Sequence, residues 1–456
     1  MEKISKEDTA ETNDLIVELV QNKCINPPGD ELRSIKTIEK FLEAKGIECK
    51  VYESAQKRGN LTAVIKGSDP NHPGLIFGPS HVDVVPVTKP EEWSIDPFSG
   101  EIKDDYIWGR GTLDMLFMVA TQVQAFAKLH SEQFKPKGDL VLFIVADEEC
   151  GGDYGTKYVV DKHPEELGFK KRRMFAVTES GGFSIAPNKF IFISGEKGAF
   201  LKVLKFKGTP GHGSMPYDAD NAVLKASKAA LLLNRYCEKK IPLETKYLRN
   251  LAKGMKMNFF TSFLLSNKKL LPFAIRMLKK SDPSMAKFIH SISRMTISPN
   301  MVEGGTKTNI IASTAQLNLD IRTLPGQDNK YVLHHLKKAL GKLSKEVEIT
   351  EFEGEGIVSL GSESPVNSEF VNAMQRAIQL EFSEASLVPL ISMTATDGRF
   401  LREQGVDTYG FALYNPDKPL NEFLNLVHGV NERVDLKTVE LSLKVYYNLA
   451  HEFLDK

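Results

Sequence analysis

Leu75-Ile-Phe-Gly-Pro-Ser-His81-Val-Asp83, followed by Gly109-Arg-Gly-Thr-Leu-Asp114-Met-Leu116, is the stretch from which the fold can be read. His81 and Asp83 close the apolar run Leu75-Ile76-Phe77, which has the character of a buried strand. Side chains repeat every two residues along a strand, so His81 and Asp83 are expected to point the same way. An imidazole and a carboxylate on one side of a strand end suit a ligand and its orienting partner. Taken alone the pair is weak, since such residues also serve structure or solvent. Asp114 follows a Gly-Arg-Gly turn and opens an apolar helical run from Phe117 to Leu129. A carboxylate between turn and helix lies where open α/β sheets place their chemistry.

Upstream, residues 9–24 and 31–45 carry helical apolar spacing, and Asn26-Pro-Pro-Gly-Asp30 breaks the first helix and is placed to cap the second. Residues 48–53 and 60–66 alternate as strands do. Downstream, Asp139 to Ala146 is almost continuously apolar, as expected of a strand buried on both faces of a mostly parallel sheet. It ends in Asp147-Glu148-Glu149-Cys-Gly-Gly, and Met174 to Val177 ends in Thr178-Glu179-Ser-Gly-Gly. Acids at two buried strand ends are either a solvated loop or part of a site.

The pattern changes after Gly195. Alternating segments at 199–207, 294–301, 310–323 and 347–352 and helical ones at 221–236 and 329–343 give strand-helix-strand-strand-helix-strand. That is a split βαβ sandwich inserted into the larger domain. The expected fold class is therefore α/β, with a mixed, mostly parallel sheet in residues 1–196 and 353–456. An α+β insertion occupies 197–352. Within it, residues 245–281 hold nine Lys or Arg and no acid, interleaved with Phe259, Phe260, Phe263 and Phe273. This excursion, extending to about residue 290, packs on the insertion or presents an amphipathic surface to lipid, an acyl chain or another subunit.

A chain of 456 residues is too long for one core. Its 59 basic and 59 acidic residues balance, which gives no argument for a nucleic-acid partner. No apolar run is long enough to span a bilayer, and the charged start is unlike a secretory signal. Four well-separated cysteines, Cys24, Cys49, Cys150 and Cys237, point to reduced, mostly buried thiols and a cytoplasmic setting. Cys150 adjoins the acidic cluster.

His81, Asp114, Glu148, Glu149, Glu179 and His428 together carry too much negative charge for one unpaired sheet edge. Crowded carboxylates take up protons or require a cation. Two divalent metals sharing one carboxylate relieve the repulsion and leave one Glu free as a base, the arrangement of a di-zinc hydrolase.

The runs His81-Val-Asp83-Val-Val-Pro, Trp93…Pro97-Phe-Ser-Gly100, Gly109-Arg-Gly-Thr-Leu-Asp114, Asp147-Glu-Glu149 and Asp397-Gly-Arg399-Phe resemble the M20 metallopeptidases, in the right order along nearly the whole chain. That group includes aminoacylases, carboxypeptidases, acetylornithine deacetylases, succinyl-diaminopimelate desuccinylases and dipeptidases. The resemblance implies two Zn2+ per chain, with Co2+ or Mn2+ as substitutes. His81, Asp114 and Glu179 would hold one, and Asp114, Glu149 and His428 the other. It implies Asp83 orienting His81, Glu148 as general base, and a non-proline cis peptide after Asp114. It also implies a homodimer in which the insertion serves as lid and dimerisation domain. There His212 reaches a partner's site to steady an oxyanion, and Asn309 and Arg322 bind a substrate carboxylate. Arg399 would do likewise or brace Asp397. Met115-Leu116-Phe117 departs from the sequence that many relatives carry after this Asp, and the long excursion tilts the expectation towards apolar acyl groups or side chains. The implied activity is hydrolysis of an amide in an N-acyl amino acid or short peptide. Carboxypeptidase or dipeptidase activity is the near alternative, and an inactive binding protein of the same fold the distant one.

Overall fold

The computed structural model describes residues 4–352 and 358–455. The chain divides into two compact units. One comprises Met1–Gly195, Glu363–Leu390 and Thr396–Lys456; the other comprises Glu196–Ser362 and Ile391–Ala395. The expected return point at residue 353 lies outside the described residues.

The larger unit is built on a ten-stranded sheet. Across its centre run Cys49–Ala55, Arg58–Ile65, Leu140–Val145, Gly74–His81, Met174–Thr178 and Asp407–Gly410. The last four are mutually parallel, and the first two join antiparallel at one side. Every residue of Gly74–His81, Leu140–Val145 and Met174–Thr178 is buried, which explains why these strands read as apolar runs without alternation. The helix Phe117–Ser131 is buried nearly all round and packs with Leu436–Leu454 and Lys6–Gln21. Each large side chain fully removed from water here contributes roughly 1.5–3 kcal/mol. The parallel strands therefore form a rigid platform, and their carboxyl ends carry His81, the Asp147-Glu148-Glu149 turn and Glu179.

The smaller unit has the expected strand-helix-strand-strand-helix-strand order. Its four-stranded antiparallel sheet runs Thr296–Gly304, Thr314–Thr323, Gly198–Lys207, Val347–Glu351. Along Thr314–Thr323 burial alternates residue by residue. Ala315, Leu317, Leu319 and Ile321 face a core shared with the helices Ala222–Lys239 and Asn329–Leu340. The basic-apolar excursion forms four helices, Lys246–Gly254, Phe259–Ser266, Leu271–Ser281 and Pro283–Ile292.

Three readings need correction. The second helix begins at Leu32, one residue later than expected, and the Asn26–Asp30 stretch does not cap it: Glu31 holds the capping position without a side-chain cap and pairs with Arg58 at 2.7 Å, while Asp30 pairs with Arg33. Strand alternation past His81 does not hold, because the strand ends there and Asp83 lies beyond it. Of the four cysteines, all free, only Cys24 and Cys237 are buried, and Cys150 is exposed.

Candidate metal centre

Asp114 lies in a tight turn, Thr112–Leu116, that leads into the buried helix. Gly111 precedes it at φ +83°, a left-handed conformation in which a Cβ would run into Val84. The Asp114–Met115 peptide is cis. Glu432, fully buried, accepts the backbone N–H of Gly111 at 3.0 Å and of Leu113 at 2.9 Å. Arg110 donates to Glu432 at 2.6 Å and to the carbonyl of His428 at 3.2 Å. One buried ion pair thus ties the Asp114 turn to the segment that delivers His428.

The carboxylate of Asp114 lies between two imidazoles. Its Oδ1 is 3.2 Å from His81 Nε2, and its Oδ2 is 3.2 Å from His428 Nε2. His81 Nε2 is also 3.8 Å from Glu179, and His428 Nε2 is 3.3 Å from Glu149. Ligand atoms of His81, Asp114 and Glu149 lie within 4.8 Å of one another, as do those of His81, Glu148 and Glu179. All six sequence-predicted residues at this end of the sheet are therefore brought together.

Burial would lower the His81 pKa, but hydrogen bonding to Asp114, Asp83 and Glu179 holds it well above its ordinary value. Asp114 and Glu149 raise His428 to about 10. Burial opposes ionisation of Asp114, yet the two imidazoles depress its pKa. Burial, reinforced by neighbouring carboxylates, pushes Glu148 well above the carboxylate range and Glu179 to about 7. The negative charge that raises both imidazoles is the charge that draws a divalent cation. Glu179 Oε1 is buried with no hydrogen-bond partner, as an oxygen meant for a metal would be. Two imidazoles with a carboxylate between them form a donor set that fits divalent cations, zinc among them.

His81 meets both the backbone and the carboxylate of Asp83. Its Nδ1 bonds the backbone carbonyl of Asp83 at 3.0 Å, while the Asp83 carboxylate stands 3.5 Å away. That carboxylate also accepts the backbone N–H groups of Glu148 at 3.1 Å and Glu149 at 3.0 Å, and the Asn26 amide at 2.8 Å. Asp83 thereby braces the turn carrying both glutamates. Asp147, at φ +71°, is pinned by Arg58 at 2.6 Å and by Asn26 at 3.1 Å, so the first acid of the triplet serves the loop.

Arg399 is buried, and its terminal nitrogens donate to the carbonyls of Thr396 at 2.6 Å and Gly151 at 2.7 Å. With its fork so occupied it has the geometry of a brace for these two carbonyls, and Asp397 stands 3.9 Å away. Asp397 itself, pushed up to about 6 by burial, accepts from Thr156 at 2.6 Å. Asn26, Arg58, Arg110 and Glu432 are absent from the sequence-based set.

The other three sequence-predicted residues belong to the smaller unit. His212 is exposed, bridges Ile310 and holds Ser214 Oγ through Nδ1 at 2.7 Å. Asn309 is exposed, and its carbonyl accepts from Gly213 at 2.8 Å. Arg322 pairs with Asp320 through two nitrogens, at 2.8 and 3.3 Å.

The sequence profile described as "Peptidase family M20/M25/M40" matches residues 79–452. A probable carboxypeptidase S-like 2 of Dictyostelium discoideum is 27% identical over 402 residues, spanning 84% of this chain and 72% of that protein. The N-fatty-acyl-amino acid synthase/hydrolase PM20D1 of Xenopus tropicalis is 27% identical over 395 residues, spanning 84% and 73%. The M20 family metallo-carboxypeptidase Sso-CP2 of Sulfolobus solfataricus has a similar fold, with a TM-score of 0.70 at 19% identity over 97% of this chain and 99% of that one.

Proposed function

The chain belongs to peptidase family M20/M25/M40 and is an amide-bond hydrolase; on that premise we propose that it cleaves N-acyl amino acids with apolar acyl groups, using two zinc ions. The observation that carries the metal assignment is Asp114, whose two oxygens face two different imidazoles at the same 3.2 Å. His81, Asp114 and Glu179 would hold one cation, and Asp114, Glu149 and His428 the other, with Co2+ or Mn2+ as substitutes. When bound, such ions polarise the scissile carbonyl and acidify water. Glu148 is the general base: its carboxyl reaches within 4.8 Å of the ligand atoms of His81 and Glu179, and its backbone N–H is fixed by Asp83. It accepts a proton from the attacking water and returns it to the leaving amine. Buried walls at the strand ends exclude bulk solvent and strengthen each charge interaction.

His212 supports the oxyanion in a partner's site, and Arg322 and Asn309 receive the substrate carboxylate, Arg322 by exchanging Asp320 for it. The homodimer this requires is supported by Leu224 and Leu231. Both are exposed, and they are seven residues apart on Ala222–Lys239, so they share a helix face. Thr296–Gly304 also leaves an open sheet edge. The acyl preference is supported by the likeness to the fatty-acyl-amino acid hydrolase. A second reading, carboxypeptidase action on short peptides, is supported by the Dictyostelium relative.

A panel of N-acyl amino acids of graded acyl length, dipeptides, and their C-terminal amides separates the readings. Long-acyl substrates with a free carboxylate are expected to have the highest kcat/KM, and blocking that carboxylate to abolish turnover. Faster cleavage of dipeptides than of any acyl amino acid would replace the first reading with the second.

A further inference from the structure

The four helices of residues 246–292 bury one side and leave a conspicuous other side. Inward lie Leu248, Leu251, Leu265, Leu271, Ala274 and Ile289. Outward on Phe259–Ser266 stand Phe259, 85% exposed, Phe260, 69% exposed, and Phe263. Phe259 and Phe263 stack with ring centroids 6.2 Å apart. Outward on Leu271–Ser281 lies a second stripe, Phe273, Arg276, Met277 and Lys280, spaced as one helix face. Phe273 and Met277 are each 57% exposed. Phe259–Ser266 buries Leu265 and Leu271–Ser281 buries Leu271 and Ala274, so the size and apolarity of the outward side chains are not used in the unit's core. Exposed aromatic residues gathered on one face mark an interaction surface.

The charge along this stretch has one sign, with Glu244, paired to Lys268 at 3.6 Å, and Asp282 standing at its two ends. Residues 245–281 contain nine Lys or Arg and no Asp or Glu, in a chain whose charges balance as a whole. Lys269, Arg276, Lys279 and Lys280 are all exposed. We infer that the outer face of the helices Phe259–Ser266 and Leu271–Ser281 docks on an anionic lipid surface, its aromatic rings entering the headgroup region and its cations meeting lipid phosphates. Phenylalanine tips ringed by flexible lysines are the composition of an interfacial helix, and each such cation adds to attraction by an anionic leaflet. A second copy of the chain is disfavoured as occupant, because a two-fold contact would set these cations against one another. A single acyl chain is disfavoured as well, since small-molecule sites enclose their ligand and this face leaves Phe259 almost wholly in solvent. The inference is independent of the hydrolase reading, because its readout is binding.

The test is flotation of the full chain with phosphatidylcholine vesicles, with and without phosphatidylglycerol, at low and high salt. Wild type is expected to float with the anionic vesicles at least about tenfold more tightly than with neutral ones, and less so as salt rises. Lys269→Glu/Lys279→Glu/Lys280→Glu is expected to weaken that binding by roughly 100-fold. Phe259→Ser/Phe260→Ser/Phe273→Ser is expected to weaken it by about tenfold or more, with an unchanged melting temperature. Absence of vesicle binding by the wild type, or equal binding by all three proteins, overturns the inference. So does a chain that ignores vesicles but binds single-stranded DNA, or one whose variants lose only self-association.

Discussion

At Asp114 one carboxylate faces two imidazoles, and at Asp83 one carboxylate braces two glutamates. These two side chains separate what could be read from spacing from what could not. His81, Glu148, Glu149 and Glu179 were legible because each closes or follows an apolar run, and Asp114 because it stands between a Gly-Arg-Gly turn and an apolar helical run, where solvation alone is a poor reason for it to stand. Asn26, Arg58, Arg110 and Glu432 were not legible, because their meaning lies in partners far off in sequence. Asn26 meets Asp83 across 57 residues, and Arg110 meets Glu432 across 322. Arg399 and Asp397 were noticed as a motif, but burial, invisible in a sequence, makes Arg399 a donor to loop carbonyls. Glu148→Gln keeps the shape of the base and removes its proton affinity. It is expected to lower kcat by about 10²–10⁴-fold while leaving metal content unchanged. A parallel loss of metal would make Glu148 a ligand.

Among the elements, the Thr112–Leu116 turn and the segment from His428 to Glu432 behave as one piece. The Arg110–Glu432 pair, both side chains at most 1% exposed, closes it, and Glu432 also satisfies backbone donors beside Asp114. Removing one partner of such a pair leaves a buried charge without compensation. Glu432→Ala is therefore expected to cost about 3–5 kcal/mol in urea unfolding and to weaken metal retention. A stability change below about 1 kcal/mol would place the turn's support elsewhere. The parallel strands were readable because burial on both faces forces continuous apolar composition. The four-helix form of the excursion was not, since short helices at residues 246–292 break at signals as weak as Asn258 and Asn267.

For the whole molecule, the order of strands and helices in the inserted unit followed directly from the change from continuous to alternating apolar pattern, as at Ala315 to Ile321. Among the described residues no helix is long and apolar enough to cross a membrane. If His212 serves a partner's site, subunits carrying His212→Ala and subunits carrying Glu148→Gln, each nearly inactive alone, are expected to regain about a quarter of wild-type activity when refolded together in equal amounts. No recovery would confine His212 to its own chain. The bridged metal pair is tested most directly by elemental analysis of protein purified without chelator, wild type beside Asp114→Ala. About two zinc ions per chain are expected, falling to nearly none in the variant. A single metal ion retained unchanged by Asp114→Ala would contradict the shared carboxylate.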